Sequence, residues 1–163
     1  MSNVVVADTP VMKQFLDIKS KYDDTILLFR MGDFYETFLD DAVVTSQVLG
    51  IVLTKRANGK AANVDLAGFP HHSLDNYLPK LVKAGHRVAI CEQVEDPKLS
   101  KGIVKREVVE VVTPGTLTGD QSLNEKSNRY IGSIYSLKDK SGFSFLDSST
   151  GEFFTGECET EKL

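Results

Sequence analysis

The chain has 163 residues, 41% hydrophobic and 26% charged, and its 19 basic and 23 acidic side chains leave a net charge of 19 − 23 = −4. That length allows one domain, or one domain plus part of another, and the composition is too apolar for a disordered tail. No apolar run approaches the ~18 residues of a membrane span. Residues 1–9 lack the basic and apolar regions of a secretory signal. Cys91 and Cys158 suit a reducing compartment better than a disulfide framework. The expectation is a soluble, cytoplasmic protein.

In chain order, residues 1–8 read as a frayed start. Thr9-Pro10 reads as an N-cap with proline at the first helical position. Val11, Phe15, Ile18 and Tyr22 then follow at helical spacing, which predicts an amphipathic helix over 10–22. Thr25–Arg30 reads as a short buried strand, Met31-Gly32-Asp33 as a turn, and Phe34–Phe38 as a segment leaving it. A helix is predicted over 40–49, stopped by Gly50. Ile51–Lys55 reads as a strand and Arg56–Asn63 as a polar loop around the Asn58-Gly59 turn signal. Val64–Phe69 is a further strand, closed by Pro70. Ser73 is placed to cap a helix whose face is Leu74, Tyr77, Leu78, Leu81 and Val82, with Pro79 expected to kink or delay it. Gly85 ends that helix. His86–Val94 and the β-branched run Ile103–Thr113 are strands, separated by Asp96-Pro97 and a basic loop. Pro114-Gly115 closes the segment.

Strands and helices thus alternate across residues 9–115, which predicts one mixed α/β domain. Residues 116–128 are polar, without periodicity, and read as a linker. Residues 129–163 show three strand signals, at Tyr130–Leu137, Gly142–Asp147 and Glu152–Gly156, with turns between them and no helix. So short a meander cannot bury both of its faces, so it either packs on the first domain or begins a second, truncated one.

Chemistry concentrates in Arg30–Phe38, RMGDFYETF. Strand alternation puts Phe34 and Glu36 on one side, about 7 Å apart, with Tyr35 and Thr37 on the other. A core face does not normally pair a large aromatic with a carboxylate, so this side is a candidate for a wedge with a hydrogen-bonding group behind it. Two clusters carry cations and no acid: Lys55, Arg56 and Lys60, and then Lys98, Lys101, Lys105 and Arg106. Each is either a phosphate-facing patch or a solvated loop; solvation is the default for the second. His71-His72 with Asp75 or Cys91 lacks metal-ligand spacing. Cys91 lies on a buried-looking strand and reads as a small core hydrophobe. No G-x-x-x-x-G-K-[ST] loop occurs, so no nucleotide-hydrolysing site of that type lies in this stretch.

RMGDFYETF is followed in order by LTKR (53–56), AGFPHH (67–72), NYLPKLVKAG (76–85), VAICEQ (88–93), DPKLSKG (96–102) and VVTPGT (111–116). This series resembles the N-terminal region of the bacterial MutS family of DNA mismatch-repair proteins, from about Thr9 to Thr116. LDSSTGEF (146–153) resembles the opening of that family's second domain. The resemblance implies a mixed-sheet mismatch-recognition domain at 9–115 and, from 129, the first strands of a ribonuclease H-like connector domain.

It also implies a function. The family's Phe-x-Glu motif, here Phe34-Tyr35-Glu36, enters the minor groove of duplex DNA at a mispaired or looped-out base. An apolar wedge unstacks and kinks DNA at a few kcal/mol per step, and a mispair, already poorly stacked, lowers that cost. Glu36 would hydrogen-bond an exposed base edge. Lys55 and Arg56 would contact the DNA backbone or minor groove, and Met31 would back the wedge. The full-length family member is a homodimeric ATPase that uses ATP and Mg²⁺ through other domains and works with a MutL-type partner. No cofactor, catalysis or membrane contact is implied for this stretch. Two rival readings are a small metal-dependent nuclease using Asp33, Glu36 and Asp147, and a structural or protein-interaction domain.

Overall fold

A computed structural model describes residues 9–95, 102–115, 128 and 130–162. The expected frayed start, the basic Lys98 and Lys101 and most of the expected linker lie outside the described residues. The chain divides into two compact units, Met1–Thr113 and Pro114–Leu163.

The first unit is a six-stranded sheet in the order β3-β4-β2-β1-β5-β6. The strands are β1 (Ile26–Met31), β2 (Phe34–Phe38), β3 (Thr54–Asn58), β4 (Ala61–Pro70), β5 (Val88–Gln93) and β6 (Arg106–Val112). β1 and β5 pair in parallel and the other neighbours antiparallel, so the sheet is mixed, as expected. Helix α1 (Pro10–Lys19) covers one face through Met12 and Phe15, which bury against Leu27, Phe29, Phe38, Val64, Ala89 and Cys91. The rings of Phe15, Phe29 and Phe38 meet edge to face at 5.0–6.3 Å, a preferred aromatic geometry. Helices α2 (Asp40–Leu49) and α3 (Leu74–Lys83) pack on the other face, where Tyr77 stacks on Phe69 at 4.6 Å.

Local chemistry sets the helix ends. Thr9 is extended and its hydroxyl accepts from the Met12 amide at 3.3 Å. Gly50 adopts φ +67° and ends α2 as expected. The sequence placed the end of α1 three residues too late. The hydroxyl and amide of Thr25 both donate to the Tyr22 carbonyl, which draws the backbone off the helix while Tyr22 still packs on the core. Ser73 makes no side-chain cap. A 3-10 turn, His71–Ser73, leads into α3 instead, and the Leu74 amide donates to the His71 carbonyl. Pro79 lies inside α3 without ending it.

The largest difference from expectation lies at 51–63. Ile51–Leu53 is not a strand, because Ile51 is tied back to Ser46 by its amide (3.2 Å) and by the Ser46 hydroxyl (2.6 Å). The supposed polar loop is a hairpin: Asn58 pairs with Ala61 around the Gly59-Lys60 turn. Its polarity reflects an edge strand with water on one side, not the absence of pairing.

In the second unit, β7 (Tyr130–Leu137), β8 (Lys140–Asp147) and β9 (Phe153–Glu159) form an antiparallel meander in that order. This is the expected three-strand pattern, with β7 at its expected bounds and β8 and β9 longer than expected. β7 is exposed along its whole length.

Candidate nucleic-acid interface

The β1–β2 hairpin reverses over Gly32-Asp33, with Gly32 at φ +58°, a conformation that favours glycine. Phe34 follows at once, paired with Met31 on one side and Pro70 on the other. Met31 is partly buried against the core and is the cross-strand partner of Phe34. Phe34 is 46% exposed, whereas Phe38, two pleats further on the same face, is fully buried. Glu36 lies between them, with its side chain 19% exposed. One face of one strand therefore runs from solvent to core in five residues, and the carboxylate sits at the transition. Tyr35 and Thr37 are buried on the opposite face, as strand alternation requires.

Glu36 pairs across β4 with Gly68. A Cβ at Gly68 would lie 2.8 Å from the Tyr35 carbonyl oxygen, closer than the paired strands allow, and 3.4 Å from Glu36 Cγ, an ordinary contact. From β3, Arg56 donates from Nη1 to Glu36 Oε2 at 2.6 Å, while its guanidinium carbon lies 5.9 Å from the Phe38 ring centre. Burial holds the Glu36 carboxyl above its ordinary pKa, and Arg56 and then Arg106 oppose that rise.

Arg106 corrects the sequence reading. It was expected to be solvated, but it is 7% exposed. Its Nε donates to the Arg30 carbonyl at 2.5 Å, and its Nη1 donates to Gln14 Oε1 at 2.9 Å and to the Val104 carbonyl at 2.8 Å. Its guanidinium sits 4.9 Å from the Phe29 ring centre, so this cation fastens an edge strand to α1 and β1. Burial lowers its pKa from the ordinary guanidinium value.

On the opposite face Tyr35 donates its hydroxyl to Glu92, which also pairs with Arg30 at 3.3 Å. Arg30 lies 5.7 Å from the Tyr35 ring centre. Burial, reinforced by Glu92, raises the Tyr35 pKa, so this phenol stays a donor. The residue between Phe34 and Glu36 is thereby anchored to β5. Sequence reasoning singled out neither Glu92 nor Gly68. Period-two alternation from buried Cys91 would have put Glu92 on the face of Tyr35, but not at its hydroxyl.

Lys55 and Arg56 do not share a face. Lys55 pairs in register with Asp65, with its ammonium 3.4 Å from that carboxylate and its side chain 67% exposed. Lys105 pairs with Glu107 at 2.7 Å. Asp33 is exposed, and its carbonyl accepts from the His71 amide at 2.8 Å. Asp147, in the second unit, accepts from the Ser149 amide and hydroxyl at 2.8 and 2.6 Å and so shapes a turn. Among the described residues no group of three or more His, Cys, Asp or Glu is placed to hold a metal. No helix among them is long and apolar enough to cross a membrane.

Comparison with known proteins identifies the family. The family model of MutS domain I matches residues 9–121. The chain is 60% identical over 152 residues to the DNA mismatch repair protein MutS of Parabacteroides distasonis, covering 93% of this chain and 18% of that protein. It is 60% identical over all 163 residues to the protein of the same name from Flavobacterium psychrophilum, covering 19% of that protein. The chain therefore spans about a fifth of the length of these curated relatives. An exposed phenylalanine beside a half-buried carboxylate stands in a fold whose domain and near relatives all point one way, and the chain belongs to the MutS family.

Proposed function

We propose that this chain is the N-terminal, mismatch-recognising part of a DNA mismatch-repair protein. It acts by inserting Phe34 into the minor groove and offering Glu36 to an exposed base edge. The observation that carries this reading is the half-exposed Phe34 at the tip of a tight hairpin, with Glu36 one pleat behind it. Wedging needs a rigid backing, and the Met31 and Pro70 pairings and the Tyr35–Glu92 anchor supply it. Intact pairs resist unstacking more than mispairs do, so deformability sets the selectivity. Met31 backs the ring. Lys55 and Arg56 supply the nearby positive charge, Lys55 toward the backbone and Arg56 within the face.

Residues 9–115 are proposed as the recognition domain, 116–128 as a linker and 129–163 as the start of a connector domain. ATP and Mg²⁺ binding, ATP hydrolysis, homodimerisation, a MutL-type partner and a cytoplasmic site of action are proposed for the full-length protein. The test is fluorescence anisotropy of labelled duplexes with a full-length MutS that carries this chain. A G·T duplex should bind more tightly than its matched control. Equal affinity would overturn the proposal, and Mg²⁺-dependent cleavage abolished by Asp33→Asn would favour the nuclease reading.

A further inference from the structure

The Glu36 carboxylate does not face solvent alone. Arg56 reaches it from β3 at 2.6 Å, with its guanidinium over the ring of Phe38. The contrast with Lys55 is informative. Lys55 is an exposed cation on the other face, whereas the Arg56 side chain is only 35% exposed and turns inward along the sheet. A guanidinium held against a buried aromatic and a carboxylate is poorly placed to serve as an independent phosphate ligand. It is well placed to govern the carboxylate.

We propose that Arg56 is a positioning residue that acts through Glu36, holding its carboxylate in the free protein and compensating its charge when the face approaches DNA. This rests on the reading that the Phe34–Glu36 face meets the duplex. An anionic carboxylate brought to a polyanion is repelled, and a partner guanidinium removes most of that repulsion. The pair also gives Glu36 a default partner. A matched duplex offers it nothing better than Arg56, while a mispair offers a base edge. Arg56 thereby contributes to discrimination without reading a base.

The test is a double-mutant cycle in a full-length MutS that carries this chain, with matched and G·T duplexes. Arg56→Ala should weaken binding to both, because it exposes an uncompensated carboxylate. Glu36→Gln added to Arg56→Ala should restore affinity for the matched duplex by about fivefold or more beyond its effect in the parent. Arg56→Lys, which keeps the charge, should fall between parent and Arg56→Ala. If the effects of the two substitutions multiply within about twofold, Arg56 is an independent backbone contact and the inference falls. A second readout needs no DNA: in the 163-residue chain, NMR titration should show a higher Glu36 pKa in Arg56→Ala and Arg56→Lys than in the parent, and an unchanged value overturns the inference. Phe34→Ala in the same assay separates the two readings. Retained mismatch preference in that variant sinks the wedge, whereas the cycle on matched DNA judges Arg56 by itself.

Discussion

Phe34 and Phe38 point to the same side of one strand, so truncating each separates a functional ring from a structural one. Phe34 is 46% exposed, and full burial of such a side chain is worth ~1.5–3 kcal/mol, so Phe34→Ala should lower stability by only about 1 kcal/mol. Phe38 is fully buried, 5.0 Å from the ring of Phe15 and 6.3 Å from that of Phe29. Its loss leaves a cavity, and Phe38→Ala should lower stability by about 3–5 kcal/mol. The order reverses for DNA. Base–aromatic stacking is worth ~1–3 kcal/mol, so Phe34→Ala should cut the mismatched-to-matched affinity ratio by roughly 5- to 150-fold. Urea denaturation followed by circular dichroism gives the first quantity and anisotropy of paired duplexes the second. A Phe34→Ala protein that keeps the parent ratio would refute the wedge. One destabilised as much as Phe38→Ala would refute the burial argument.

Further outcomes are expected. Arg106→Met leaves three hydrogen-bonded acceptors without their donor and should lower stability by about 2–4 kcal/mol, read by urea denaturation; an unchanged midpoint would show that Arg106 is not a structural bolt. Burial pushes the Cys91 thiol up to about 12, so a thiol reagent should label partly exposed Cys158 rapidly and Cys91 only on unfolding; rapid labelling of both contradicts the buried environment. The folded chain keeps the Cys91 proton where the unfolded chain releases it. Its contribution to stability is therefore full below the ordinary thiol value of ~8.5, and it is lost as pH rises from there to about 12. Denaturation midpoints that stay flat across that window in the parent and fall in Cys91→Ala would reverse the sign. The 163-residue chain by itself, with net charge −4, should bind a mismatch duplex weakly at ~0.1 M salt, because phosphate neutralisation supplies most non-specific affinity. Submicromolar binding with intact mismatch preference would show that the recognition unit needs no further grip on the backbone.

Features set by a few consecutive residues were legible in the sequence. Thr9-Pro10 starts a helix because an oxygen acceptor and a fixed φ suit a helix N-terminus, and Gly50 stops one because it adopts a positive φ at little cost. Phe34 and Glu36 share a side because strand alternation admits no other arrangement. Strand order and register decided the rest. Arg56 lies 20 residues from Glu36, and Arg30 and Tyr35 lie 62 and 57 residues from Glu92. In RANGK the Asn58-Gly59 pair announces a turn but not the paired strands on either side of it, and nothing in KREV announces a buried arginine. Gly68 matters only because β4 runs beside β2, so that its missing Cβ spares the Tyr35 carbonyl of the neighbouring strand. Helix caps and alternation follow from sterics along the chain. The partner of a charge follows from which strands the whole fold lays side by side, and only burial among those strands gives the pairing its strength.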